Sequence, residues 1–329
     1  MTEASTVSVP DVRLLDDFAA IGSARWDALL ATGPTDAPFL THAWQRLWWT
    51  AFGDEQLLIA CVERDGSPVA IAPLFAVEGS VSLVGSGNSD FLDFVGPADL
   101  QALAAMLRAA CGAAHGFSGI ELYHLPAGSP TTRLLPGVAA RLGLQLEREE
   151  APGAPYADLT NLDLLESLTA RRSTRKEEAR MRRAGELCVR VAAPEELEAL
   201  VELFLAQHAA RWVPAGQRSF DRRGSREFVR AAVATGGREG WARVTLLEWE
   251  HRPVAIDISL IRSATQLSWL VSRDPSIQEH SPGRVLRAHV VRQAAEAGVR
   301  RFEFGLGEED YKLRDASGVT RLNNWFLYE

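Results

Sequence analysis

The chain has only three cysteines, Cys61, Cys111 and Cys188, among 329 residues. They are scattered and lack C-x-x-C spacing, which argues against a disulfide framework and against a zinc site, so no metal is expected. Two of them lie in apolar stretches such as 57–62, the usual setting of reduced core thiols. No apolar run approaches the roughly 20 residues that cross a bilayer, and the opening segment is polar and acidic without an apolar leader core. No membrane association is expected, and the cytoplasm is the expected location. Neither G-x-x-x-x-G-K-[ST] nor G-x-G-x-x-G occurs, which removes the main support for nucleotide hydrolysis or dinucleotide binding. Positive charge is also short, at 35 Lys and Arg against 43 Asp and Glu, a formal charge of −8. That balance argues against broad contact with phosphate backbones, so a nucleic-acid partner is not expected unless it is a charged tRNA.

What is present suits a large buried core. With 47% hydrophobic residues, a chain of this length is expected to form two domains. The Ala-Pro-Gly-Ala-Pro run at 151–155 reads as linker and divides the chain into 1–152 and 153–329. In the first half, Thr41 is placed to cap a helix whose Trp44, Leu47 and Trp48 share a face. Strands at 57–62 and 68–75 flank an Asp65-Gly66 turn, and a short strand at 81–84 precedes a loop of turn formers at 85–90. A helix at 100–111 and a strand at 119–125 follow. The second half repeats this outline in element order alone, with helices at 194–212 and 225–235 and strands at 242–248, 253–261 and 266–271. A loop then leads to a helix over 282–297, closed by Gly298, and a strand at 301–305.

Four places carry chemistry. Ser281-Pro282-Gly283 reads as a helix start, whose exposed N–H groups, with Gly283 permitting close approach and Arg284 adding charge, suit an anion. In 254–261 the alternation sends Asp257 and Ser259 to the face opposite Ile256 and Ile258, either toward solvent or toward a ligand. Arg171, Arg172, Arg175, Lys176, Arg180, Arg182 and Arg183 crowd one segment with Glu177 and Glu178, either a solvated face of i,i+4 pairs or a phosphate contact. After the last of these strands, the glycine-bearing loop 305–314 brings acids, Tyr311 and Lys312 together.

These residues, in this order, resemble the CelD/BcsL-type acetyltransferase domain, a branch of the GNAT superfamily related to the Fem-type aminoacyltransferases. The matching positions are the basic segment 171–183 with Gly185, His208 through Trp212, 252–255, 281–286, Gly298 through Gly305, and Gly307 with 311–314. Trp44 with Trp48-Trp49, 69–74 and 89–93 extend the likeness into the first half. The resemblance implies an α/β fold of two tandem GNAT-like domains, with mixed, mostly antiparallel sheets flanked by helices. It also implies N-acyl transfer from an acyl thioester, acyl-CoA first, to an amine of a small-molecule or saccharide acceptor. A Fem-like tRNA-dependent aminoacyl transfer and a non-catalytic scaffold are the alternatives.

On this footing Lys312 is expected to stabilise the oxyanion and Tyr311 to protonate the leaving thiolate. Asp90, Asp93 or Asp257 is expected to take the amine proton. His280, Ser281, Gly283, Arg284 and Val271 are expected at the donor, and Arg211, Trp212 and Trp44 at the acceptor. The segment 278–283 departs from the usual pyrophosphate signature, since it lacks the second glycine or alanine, which leaves a carrier-protein thioester or an aminoacyl-tRNA as other donors.

Overall fold

A computed structural model describes residues 10–212 and 220–329. The chain divides into two compact units, Met1–Pro152 with Arg321–Glu329, and Gly153–Thr320.

The first unit opens with β1 (Val12–Leu15), α1 (Ser23–Leu30) and α2 (His42–Phe52). Thr41 caps α2 by accepting from the Trp44 N–H at 3.3 Å, and the expected face, with Trp44, Leu47 and Trp48, is buried. A hairpin follows, β2 (Gln56–Arg64) and β3 (Ser67–Val77), turning at Asp65 and Gly66 with φ of 52° and 74°. Two positive φ angles in succession match the twist of paired strands, and this turn needs them. Then come β4 (Ser80–Leu83), α3 (Leu100–Ala113), β5 (Gly119–Pro126), α4 (Pro130–Leu142) and β6 (Gln145–Asp158).

The second unit contains α5 (Leu162–Ala170), α6 (Arg172–Ala184), β7 (Leu187–Val191), α7 (Leu197–Trp212) and α8 (Ser225–Glu239). It continues through β8 (Ala242–Trp249), β9 (Arg252–Arg262), β10 (Thr265–Arg273), α9 (Pro282–Glu296), β11 (Arg301–Glu303), α10 (Asp310–Asp315) and β12 (Gly318–Tyr328). The strand order is β1-β2-β3-β4-β5-β12 in the first unit, which takes β12 from Arg321 on, and β6-β11-β10-β9-β8-β7 in the second, which takes β6 from Gly153 on. Among the described residues only the β4–β5 and β10–β11 pairs are seen to run parallel, so each sheet is mixed and mostly antiparallel, flanked by helices.

Two expectations change. The 151–155 run is not a linker but the end of β6, where the carbonyls of Gly153 and Pro155 accept from Gly307 N and Phe304 N at 2.9 and 3.0 Å. Proline forfeits a donor but keeps its acceptor, so a strand that is asked only to accept at Pro155 tolerates it. The tail Arg321–Glu329, expected in the second domain, packs in the first unit, because Leu322 through Leu327 pair with β5.

The second unit has two apolar layers. Leu197, Phe204, Val229 and Val233 from α7 and α8 pack with Val244, Leu246, Ile256 and Ile258. Met181, Val285, Leu286 and Val290 from α6 and α9 pack with Leu247, Ala255 and Phe302. Full burial of each large side chain contributes about 1.5–3 kcal/mol, so helices on both faces hold the sheet rigid behind whatever binds at its edge. The β10–β11 pairing ends after Leu267 and Glu303, and beyond it the strands part.

Candidate active site

The second unit holds a cavity of about 230 Å³. Its walls carry four guanidiniums, Arg171, Arg284, Arg287 and Arg314, the hydroxyl residues Ser173 and Thr174, and one carboxylate, Asp315. Two helix starts supply much of this lining. Arg171 is the residue before α6, and Arg284 and Arg287 stand in the opening turns of α9. Neither helix has an acidic residue in its first turn, and neither has a side-chain cap. Neither positive helix end is therefore offset by an acid or a cap of its own helix.

Asp315 organises the arginines. It is 3% exposed, and its Oδ1 lies 2.8 Å from Arg171 Nη1 while its Oδ2 accepts from Arg287 Nη2 at 2.9 Å. Arg314 approaches the same carboxylate at 3.5 Å. One carboxylate cannot neutralise four guanidiniums, and burial already pulls the Arg287 pKa below its usual value, with Asp315 opposing the shift. An anion entering the cavity would relieve that imbalance, each charge-assisted hydrogen bond contributing about 1.5–3 kcal/mol.

The expected helix start is present at Pro282, with Ser281 as the residue before it. Ser281 takes φ 49°, ψ 49°, and its side chain makes no cap bond. Pro282 has no N–H, and the Arg284 and Val285 N–H groups bond back to Ser281 O at 2.9 and 3.3 Å. Gly283 keeps a first-turn N–H, and no atom stands within 4 Å of where its Cβ would be. Main-chain donors are thus few here, and anion recognition falls to arginine side chains. His280 is 8% exposed with its ring 5.4 Å from that of Trp249, so it packs under an indole. Val271 is 39% exposed on the part of β10 that has left β11.

Tyr311 stands beside Arg287 of the cavity wall, whose guanidinium lies 4.8 Å from its ring centre. Burial, then Glu309, raises its pKa above the ordinary phenol value, against the nearby charges of Arg287, Arg211 and Arg273. Arg211, in the last turn of α7, has its pKa lowered by burial and by Arg273. Tyr311, Arg211, Arg273 and Arg287 are therefore neighbours. The side chain of Trp212 lies outside the described residues. His208, which the resemblance also matched, has its pKa pushed down to about 4 by burial, and its ring lies 4.8 Å from that of Phe220. Lys312 is 7% exposed, donates to Leu306 O at 2.5 Å and pairs with Glu309 at 3.0 Å. The expected loop ends in α10, which carries Tyr311, and Lys312 ties this helix back to the preceding turn.

Asp257 is 2% exposed and does not face solvent. Ser259 and Ser268 donate to its two oxygens, each at 2.5 Å, and Gln266 Nε2 donates to Ser259 Oγ at 3.0 Å. Burial pushes its pKa up to about 6, against the two hydroxyls and the charge of Arg287. Ser268 sits where the β9–β10 register shifts, next to the parting of β10 from β11, and is only half-buried. Its hydroxyl joins the buried carboxylate to the open part of the strand.

The remaining expected residues belong to the first unit. Asp93 is 0% exposed and accepts from Thr35, Ser129 and Thr131 hydroxyls, each at 2.7 Å, and from Phe94 N at 2.9 Å. Burial raises its pKa against those bonds. A carboxylate enclosed this way holds loops together. Asp90 is half-buried in the same loop. Trp44 is 0% exposed, with Nε1 donating to Ser89 Oγ at 3.1 Å, a core position. Sequence reasoning pointed to Arg171 through the basic segment and to Arg314 through the 305–314 stretch, but not to Arg287 or Asp315. The i,i+3 spacing of Arg284 and Arg287 from a helix start was the available signal.

Residues 169–313 match a family model described as an acetyltransferase (GNAT) domain. No curated protein matches the chain by sequence. Among solved structures, FemX superposes with a TM-score of 0.65 at 13% identity, covering 94% of this chain and 96% of that one. L-PGS from Bacillus licheniformis gives 0.61 at 14% identity over 94% and 91%. A tandem GNAT protein from the clavulanic acid biosynthesis pathway gives 0.50 at 16% identity over 96% and 97%. The fold is GNAT-like α/β, and the matched domain makes the chain an acyltransferase.

Proposed function

We propose that the second unit transfers an acyl group from a phosphopantetheine thioester, of which acyl-CoA is the simplest, to the amine of a small-molecule or saccharide acceptor, within the CelD/BcsL-type branch. The observation that carries this reading is the cavity, where four arginines and two helix starts with no acid or cap of their own offer positive charge to a phosphate beside Tyr311. The thioester would run from that phosphate toward the parting of β10 and β11.

The amine attacks the thioester carbonyl directly, so no covalent enzyme intermediate forms. Ser268, held by Asp257, accepts the amine proton as its own passes to the carboxylate, whose pKa of about 6 keeps it ionised at neutral pH. Tyr311 protonates the departing thiolate, and its raised pKa keeps it protonated until then. Arg211 and Arg273 form a cationic rim for an acidic group on the acceptor. Lys312 contributes by fixing α10, which carries Tyr311.

Calorimetric titration with acetyl-CoA and with a longer acyl-CoA tests this. Saturable binding of at least one is expected, weakened at least tenfold by Arg287→Ala. Absence of heat with both removes coenzyme A from the reading.

A further inference from the structure

We propose that the outer face of α6 docks a small acidic carrier protein, which delivers its phosphopantetheine thioester with the arm's phosphate in the arginine-lined cavity. This rests on the acyl-thioester reading above. It concerns how the donor arrives.

Residues 172, 176, 179 and 183 fall on one line of α6 at i, i+4, i+7 and i+11, and 175 and 180 flank that line. Arg172, Arg175, Lys176, Arg180 and Arg183 are exposed, and none forms an ion pair among the described residues. The two acids of the helix turn away from this face. Glu178 accepts from Arg182 at 2.9 Å and lies 3.3 Å from His289 of α9, and Glu177 is half-buried. The result is a purely cationic stripe about 17 Å long on a chain of net charge −8.

The stripe starts next to the cavity, because its first residue, Arg172, stands between Arg171 and Ser173, which line it. Cations at a helix N-terminus oppose the helix dipole, so Arg172 and Arg175, which form no ion pair among the described residues, each cost stability there. A folding role would place them at the other end. The sparse N–H set at Ser281–Gly283 also bears on the donor. A diphosphate cradled by main chain needs several such donors, whereas the single phosphate of a carrier-borne arm is served by side-chain guanidiniums. One helix of positive charge matches the acidic surface of a small protein, while a folded RNA asks for a broader positive field than this acidic chain supplies.

The test uses an acidic holo carrier protein bearing an amide-linked acetyl group, acetyl-CoA, and an unacylated tRNA as binding probes. Each is titrated against the full chain and against the triple variant Arg172→Glu, Lys176→Glu, Arg183→Glu. The variant is expected to fold, since its three positions are exposed and an acid in the first turn complements the start of the helix. The carrier is expected to bind at least tenfold more tightly than acetyl-CoA, to lose at least tenfold in the variant, and to weaken with salt. Acetyl-CoA binding is expected to stay within twofold. Unchanged carrier affinity in the variant overturns the docking proposal, and so does tRNA binding that exceeds the carrier's and is lost in the variant. Binding of acetyl-CoA without binding of the carrier removes the docking surface alone, and silence from both removes the thioester reading with it.

Discussion

Asp315 accepts a hydrogen bond from Arg287 at 2.9 Å inside the second unit, although each stands beside further groups, Arg171 on the carboxylate and Tyr311 under the guanidinium. This pair holds Arg287 at the cavity wall and ties α9 to α10.

Replacing Asp315 by alanine leaves three arginines facing one another with their common acceptor gone. Breaking a buried pair in this way costs about 3–5 kcal/mol. Urea denaturation is expected to show that loss, partly recovered by added phosphate or sulfate, and an unchanged midpoint would show that Asp315 does not hold the cluster.

Gly283→Ala separates the helix start from its use. No steric clash awaits the methyl group, and alanine favours helix by up to about 1 kcal/mol, so stability should hold or rise. If the donor's phosphate passes close to this backbone, affinity for acyl-CoA falls; binding equal to that of the natural chain would move the phosphate away from Gly283.

Tyr311→Phe and Lys312→Met are expected to part company. Tyr311 is 42% exposed, so its phenylalanine variant should keep the melting temperature while kcat falls about 10²-fold. Lys312 is buried and holds Leu306 O, so Lys312→Met should lower both stability and turnover. Equal melting temperatures for the two variants would remove the structural role assigned to Lys312.

The Asp257 carboxyl has a folded pKa of about 6, raised above its unfolded value by burial. Its contribution is fully present below the unfolded pKa near 3.9 and is lost as pH rises through the folded pKa. The natural chain should therefore lose about 3 kcal/mol relative to Asp257→Asn between about pH 4 and pH 7, read from denaturant midpoints. On the activity side, the Asn variant should lose the rise in rate centred near pH 6.

The sequence by itself determined the elements whose signals are local. Apolar spacing specified α2, α3 and the core strands, Asp65-Gly66 a hairpin turn, and Pro282 the start of α9, because these depend on nearby residues alone. The same local logic misjudged 151–155, where partners at Phe304 and Gly307 turn a proline-rich run into strand. It also left Asp257 undecided between solvent and ligand, since alternation tells which side chains share a face but not what covers that face. Only the tertiary structure buried this carboxylate against Ser259 and Ser268, and enclosed Asp93 among three hydroxyls. The arginine cavity is the clearest case. Its walls come from positions 171, 284, 287 and 314, and charges so far apart in the chain become one site only when α6, α9 and α10 are packed around Asp315.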